Sequence, residues 1–274
     1  MKPERVINIH GHLRHDQDLA ARVRIWEEWN VVRFCCQCLP GGGGVAFGND
    51  DFLAAKREYP DLLVGFAAAS LSGPHPDTAA DIFRYKEQGF AGLKFINPAY
   101  AYNHEAYYPL YEAAAQLGMP ILFHTGYLGH NPKEPDRTGT DAENMSAYKF
   151  DKIARAFPSL KIIGAHLGHP EMKLALYLSE FFPNLYWDMT GGGGRTPHVR
   201  MMLEALLPHP ALKTDMANPL ENRALLWFTK LVFGTDNPEP GVWVPACEYI
   251  MDTLEIPPDI RRKFYYETAA GLLA

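Results

Sequence analysis

Short apolar, β-branched runs alternate with longer helical patterns from one end of this chain to the other, and there are eight of them. They are Val6–His10, Val31–Cys35, Leu63–Ala69, Gly92–Ile96, Pro120–His124, Lys161–His166, Asn184–Met189 and Leu231–Thr235. Amphipathic stretches lie between them at Asp18–Asn30, Asp77–Gln88, Glu105–Leu117 and Asn144–Phe157. The last two stop near Gly118 and Pro158, as helix punctuation should. Strand–helix alternation builds a parallel sheet, and eight units predict closure into an α/β fold, a (β/α)8 TIM barrel. The 274 residues match the roughly 250 of one such barrel, so a single domain over 1–274 is expected. An open doubly wound sheet is the alternative. It calls for a glycine-rich phosphate turn after the first strand, where this chain has His10-Gly11-His12-Leu13.

Charge and patterning narrow the partners. The formal charge is −6, from 26 basic and 32 acidic side chains, with no basic stripe to meet a phosphate backbone. No nucleic acid is therefore expected. No apolar run reaches the roughly 20 residues that cross a bilayer, so no membrane partner is expected either. The opening MKPERVINIH lacks the apolar core of a signal peptide, and a cytoplasmic location is the expectation. Cys35, Cys36, Cys38 and Cys247 lack the paired spacing of a structural zinc site. They read as small buried hydrophobes.

The long insertions, Gln37–Asn49, Thr125–Glu143 and Thr190–Pro197, all come after strands. In a β/α barrel those loops open on one face, which carries the active site. Met201–Lys230 is long enough for an extra helix or a lid. The residues that end the strands then matter most. Strand one ends at His10 with His12 two residues on, strand five at His124, strand six at His166, and strand eight at Thr235-Asp236. Residues two apart on a strand share a face, so His10 and His12 can both aim into the mouth. Imidazole and carboxylate together suit Zn²⁺ and similar ions, with one coordination position left for water. Singly, each has an ordinary reading: a histidine at a strand end is often a hydrogen-bonded rim residue, and Asp236 could cap the segment after Asn237-Pro238. Convergence around one opening favours the metal, because unpaired charge there is costly.

The ordered set His10-Gly11-His12, Phe123-His124-Thr125-Gly126, Ala165-His166-Leu167-Gly168 and Phe233-Gly234-Thr235-Asp236-Asn237-Pro238 resembles the amidohydrolase superfamily. It is most similar to the amidohydrolase-related branch of metal-dependent hydrolases and decarboxylases. The resemblance implies one divalent metal ion, usually zinc, held by His10, His12, His124 and Asp236, with His166 as acid/base or carbonyl-polarising group. The family commonly has Asp, or Glu in some decarboxylases, where this chain has Asn8. An amide is a poor metal ligand but can hydrogen-bond one, which disfavours the glutamate-using decarboxylases.

Lys94 ends strand four. Some amidohydrolases bridge two metals with a carboxylated lysine there; an ammonium binding a substrate carboxylate is the better reading. Arg195, after Gly191–Gly194, would join Lys94 in that task, although a plain surface turn serves equally well. Gly41–Gly44 reads as a flap, since it lacks the ending of a P-loop. His169 reads as a helix-start residue, with lining of the site as the alternative, and Asp188 as an orienter of a ligand histidine or a cap. The leading expectation is hydrolysis of a small carboxylate-, amide- or lactone-containing substrate. Asp236 would take and return the proton while His166 steadies the oxyanion. Decarboxylation of an unsaturated or aromatic acid is the alternative, with Tyr100, Tyr102, Tyr107 and Tyr108 available to stack or simply to pack. A non-catalytic binding barrel is the third. Leu174, Leu176, Tyr177 and Phe181 could support a homodimer or face the strands.

Overall fold

A computed structural model of the chain describes residues 2–40, 45–129, 141–191, 196–207, 223–237 and 239–274. All eight expected strands form: β1 (Val6–Gly11), β2 (Val31–Gln37), β3 (Leu63–Ala68), β4 (Gly92–Phe95), β5 (Ile121–Phe123), β6 (Ile162–Gly164), β7 (Leu185–Asp188) and β8 (Leu231–Val232). They pair in parallel in sequence order from β1 to β8. The ring is drawn together by Ile9 N–H to the Phe233 carbonyl (2.9 Å), Thr235 N–H to the His10 carbonyl (2.8 Å) and a parallel bridge between Gly11 and Asp236. The fold is a (β/α)8 barrel.

The helices that return the chain are α1 (Leu19–Glu28), α2 (Asn49–Lys56), α3 (Ala79–Glu87), α4 (Tyr108–Gln116), α5 (Phe150–Ala156), α6 (Met172–Phe181), α7 (Thr196–Leu206), α8 (Arg223–Phe228), α9 (Pro240–Thr253), α10 (Pro258–Arg262) and α11 (Thr268–Leu272). Their starts reflect local chemistry. Asp18 accepts from Ala21 N–H ahead of α1, and Thr78 with Asp81 forms a capping box ahead of α3. The helix expected over Asn144–Phe157 is shorter. Two 3₁₀ turns occupy Ala142–Met145 and Ala147–Lys149, because Ser146 caps the second turn instead of continuing the helix. The extra helix expected between the last two strands is α8. Among the described residues no helix is long and apolar enough to cross a membrane.

Inside the barrel an apolar layer is built from Ile7 and Ile9, Cys35, Phe66, Leu122, Ile163 and Val232, with Ala269 and Leu272 of α11 as its floor. A second cluster fills the space between strands and helices. All four cysteines are buried and free, Cys35 within the interior layer, as small hydrophobes should be. Tyr102 and Tyr107 are packed in the outer cluster and hydrogen-bond to backbone carbonyls. They are core residues and not a stacking surface. Of the α6 residues, Leu176 is buried while Phe181 is 74% exposed.

Candidate metal centre

The polar side chains gather at the C-terminal ends of the strands, directly above the apolar layer. β1 reaches that position through an irregularity. Ile7 and Ile9 belong to the interior layer, and the pairing of β1 with β2 shifts register between Asn8 and Gly11. His10 lies within this irregularity and His12 just after it, and His10 Nε2 lies 3.8 Å and His12 Nε2 3.3 Å from Asp236 Oδ1. These three form a compact group able to hold a metal ion.

Their other nitrogens decide the tautomers. His10 Nδ1 donates to Asp188 Oδ2 at 2.7 Å, and His12 Nδ1 donates to the Gln37 carbonyl at 2.8 Å. An acceptor on Nδ1 places the proton there and leaves the Nε2 lone pair for the mouth. Asp188, at 0% exposure, is the organiser. Its other oxygen accepts from His166 N–H (3.0 Å), Thr190 N–H (3.0 Å) and Thr190 Oγ1 (2.6 Å). Since the Thr190 hydroxyl directs its proton to Asp188, it accepts from His166 Nδ1 at 2.8 Å. The second nitrogen of His166 therefore also carries a lone pair, and it stands 3.3 Å from His124 Nδ1. His124 Nε2 faces the Tyr127 carbonyl at 3.2 Å, so it donates there. Two lone pairs face each other across that gap, an arrangement that asks for a proton or a cation between them.

Backbone geometry supports the cluster. His166, Leu167 and Asp236 all occupy the left-handed region, an uncommon conformation that tends to mark functional sites. Gly191, at φ 110°, has no room for a side chain: a Cβ there would lie 2.9 Å from His198 Nε2 and 3.1 Å from His166 Nδ1. His198, which carries no distinguishing mark in the sequence, donates to the Thr190 carbonyl at 2.9 Å and so steadies the residue that orients His166.

Electrostatics reflect burial. Desolvation lowers His12, takes His124 well below its ordinary value and takes His166 down to about 3. All three imidazoles are neutral near pH 7, the form that can ligate a metal. Burial would raise the Asp236 carboxyl, but the His12 hydrogen bond and the neighbouring histidines outweigh it and hold the group well below the usual range. Asp188 behaves alike: burial pushes it up, and His10 chiefly holds it down. Lys94, 1% exposed, brings its Nζ to 3.4 Å from His10 Nε2. Burial lowers it to about 8 against the pull of Asp188 and Asp236.

Asn8 is buried and donates to Thr235 Oγ1 at 2.9 Å, a contact to the residue before Asp236 and not to the cluster's donors. His169 does not start a helix; α6 begins at Met172. Its ring instead lies 5.3 Å from His198 and 6.0 Å from Tyr127. Arg195 and the Gly41–Gly44 flap lie outside the described residues.

An eight-stranded parallel barrel with imidazoles and a carboxylate converging at its C-terminal mouth defines a class of metal-centred barrel enzymes. The amidohydrolase family model matches residues 44–274, and the chain belongs to that family. The match begins after β1, so His10 and His12 rest on their geometry alone. Among solved structures, the chain is similar to a 2,6-dihydroxybenzoate decarboxylase complexed with 2,6-dihydroxybenzoate, at 15% identity and a TM-score of 0.67, covering 99% of each chain. It is also similar to dihydroorotase from Campylobacter jejuni, at 16% identity and a TM-score of 0.60, covering 99% of this chain and 84% of that one. A third is a 5-carboxyvanillate decarboxylase from Novosphingobium aromaticivorans with bound manganese, at 14% identity and a TM-score of 0.57, covering 92% and 80%. At such identities the likeness is one of fold. No curated protein sequence matches the chain.

Proposed function

We propose that the chain is a metal-dependent hydrolase of a small carboxylate-, amide- or lactone-containing compound. The observation that carries this reading is the convergence of His10 Nε2, His12 Nε2 and Asp236 Oδ1, each histidine already oriented through its far nitrogen. These donors fit a first-row divalent ion, zinc being the ion we assign. His124 is assigned as the fourth donor. When bound, such an ion supplies Lewis acidity, making a nearby water more acidic and a carbonyl more electrophilic.

The protein's own groups do the rest. Asp236, ionised at neutral pH, accepts the proton of the attacking water and delivers it to the leaving group. His166 is neutral, with its Nδ1 proton committed to Thr190, and its Nε2 lone pair takes up a solvent proton as the carbonyl oxygen becomes negative, shares it with that oxygen, and returns it to solvent when the carbonyl re-forms. The Lys94 ammonium, largely desolvated, binds a substrate carboxylate more strongly than an exposed lysine could. Arg195 is assigned a supporting contact to the same carboxylate.

His10→Ala and Asp236→Ala should each lower turnover at least about a hundredfold and leave less than one bound metal per chain by elemental analysis. Full metal content and full activity in either variant sinks the reading. Decarboxylation is the second reading, favoured by the whole-length fold likeness to a decarboxylase. Turnover in ¹⁸O-labelled water separates the two. Hydrolysis places the label in the product, whereas decarboxylation releases carbon dioxide and takes up a solvent proton at carbon.

A further inference from the structure

Arg22 lies on α1, away from the cluster's donors, yet it is only 5% exposed. Its Nε donates to Glu239 Oε1 at 2.7 Å, and one terminal nitrogen donates to the His12 carbonyl at 2.7 Å and to Gln17 Oε1 at 2.8 Å. The remaining terminal nitrogen is buried without a hydrogen-bond partner among the described residues. Glu239 Oε2 accepts from Trp26 Nε1 at 2.9 Å, and Glu239 stands at the N-cap position of α9. The guanidinium also stands 5.0 Å from the Trp26 ring and 5.5 Å from that of Phe34.

The connections place this pair between two chain segments that are far apart in sequence. His12 sits just past β1, and Glu239 comes three residues after Asp236. Between the two, His12 N–H donates to the Asp236 carbonyl at 3.2 Å. The His12 main chain is therefore held on its N–H side by Asp236 and on its carbonyl side by Arg22. Its ring is held by Gln37. Burying a cation is costly, and an apolar pair of similar size is often as stable or more so. A buried cation paired with a carboxylate that is itself 28% exposed is thus a weak means of stabilising the fold, and the pair fits better as a device that sets position.

We propose that Arg22 and Glu239 form a positioning clasp that fixes His12 relative to Asp236 at the separation a divalent ion requires. The inference rests on the proposed metal site. Neither residue touches the ion or the substrate. An arginine suits the role because its planar fork reaches the carboxylate and the carbonyl together, which the single ammonium of a lysine does less well.

The test is titration of chelator-treated protein with Co²⁺, read by the visible d–d absorption of the bound ion and by the dissociation constant. Arg22→Met and Glu239→Gln should each bind Co²⁺ about 10–100-fold more weakly than wild type, with an altered absorption band. Their metal-free thermal midpoints should stay within a few degrees of wild type. The double variant should be little worse than the weaker single one, because both remove the same clasp. If Arg22→Met does not fold, Glu239→Gln, which keeps the side-chain size, decides alone. Wild-type affinity and spectrum in the folded variants would overturn the clasp while His12→Ala still abolishes tight binding. If wild-type protein takes up no Co²⁺, or if His12→Ala binds it equally well, the metal reading falls and the clasp falls with it.

Discussion

Asp188 does more for the site than any residue placed to touch substrate, because a single carboxylate there serves four donors. It accepts from His10 Nδ1, from the backbone of His166 and Thr190, and from the Thr190 hydroxyl. A carboxylate can accept all four; an amide in its place has one oxygen and adds two donors of its own. Asp188→Asn should therefore leave buried donors unpaired, costing about 1–3 kcal/mol per lost bond in stability. It should also free His10 to rotate, weakening metal binding about 10–100-fold. Urea unfolding and a competitive metal titration measure the two effects, and an unchanged metal affinity would show that His10 needs no orienting partner. Asp188 was readable as a possible orienter from its place at a strand end. Thr190 and His198 were not, because a threonine and a helical histidine carry no sequence mark of what they hold.

At the scale of elements, the strands set depth. The interior layer of Ile7, Phe66, Leu122, Ile163 and Val232 lies beneath the polar cluster, and α11 closes it from below with Ala269 and Leu272. Leu272→Ala should cost about 2–5 kcal/mol of stability through lost burial and a cavity. Metal affinity should stay within about twofold, since distant sites add independently. Urea denaturation beside the same metal titration checks both, and a large loss of metal affinity would mean that floor and mouth are mechanically coupled. The strand positions were legible because their β-branched runs and turn residues are local signals. The register shift in β1 was not, since it depends on how β1 meets both β2 and the chain beyond β8. Nor was the interruption of the helix expected over Asn144–Phe157, which turns on the capping by Ser146.

At the scale of the molecule, burial of so many titratable groups couples folding to pH. His166 has a folded value of about 3 against an ordinary 6.5. Between those values the unfolded chain holds a proton that the folded chain does not. Stability therefore falls as pH falls from about 6.5 toward 3. His12 and His124 are lowered by the same desolvation and act in the same sense. Asp188 and Asp236, held below their ordinary 3.8, add to the loss at the acid end. Lys94, lowered to about 8 from 10.5, adds stability as pH rises through that interval. Thermal melting of the metal-free protein in chelator should show the midpoint dropping steadily below pH 6.5, and a flat profile down to pH 4 would contradict the burial of neutral imidazoles. Metal should steepen the profile, because it binds only the deprotonated ligands.

The sequence by itself determined the barrel and the identity of its strand-end histidines and aspartate. Both come from local patterns: a strand–helix rhythm repeated eight times, and side chains two residues apart on one strand. Only the tertiary structure decided which of them share a site. His10 and His12 meet Asp236 because the last strand returns beside the first, across a separation no local pattern records. The packing of whole strands likewise gave the two histidines their tautomers, His10 through Asp188 on β7 and His12 through Gln37 on the adjacent β2, and the closure joined Arg22 to Glu239. Long-range contacts of this kind depend on where whole elements pack, and so they become visible only once the ring is complete.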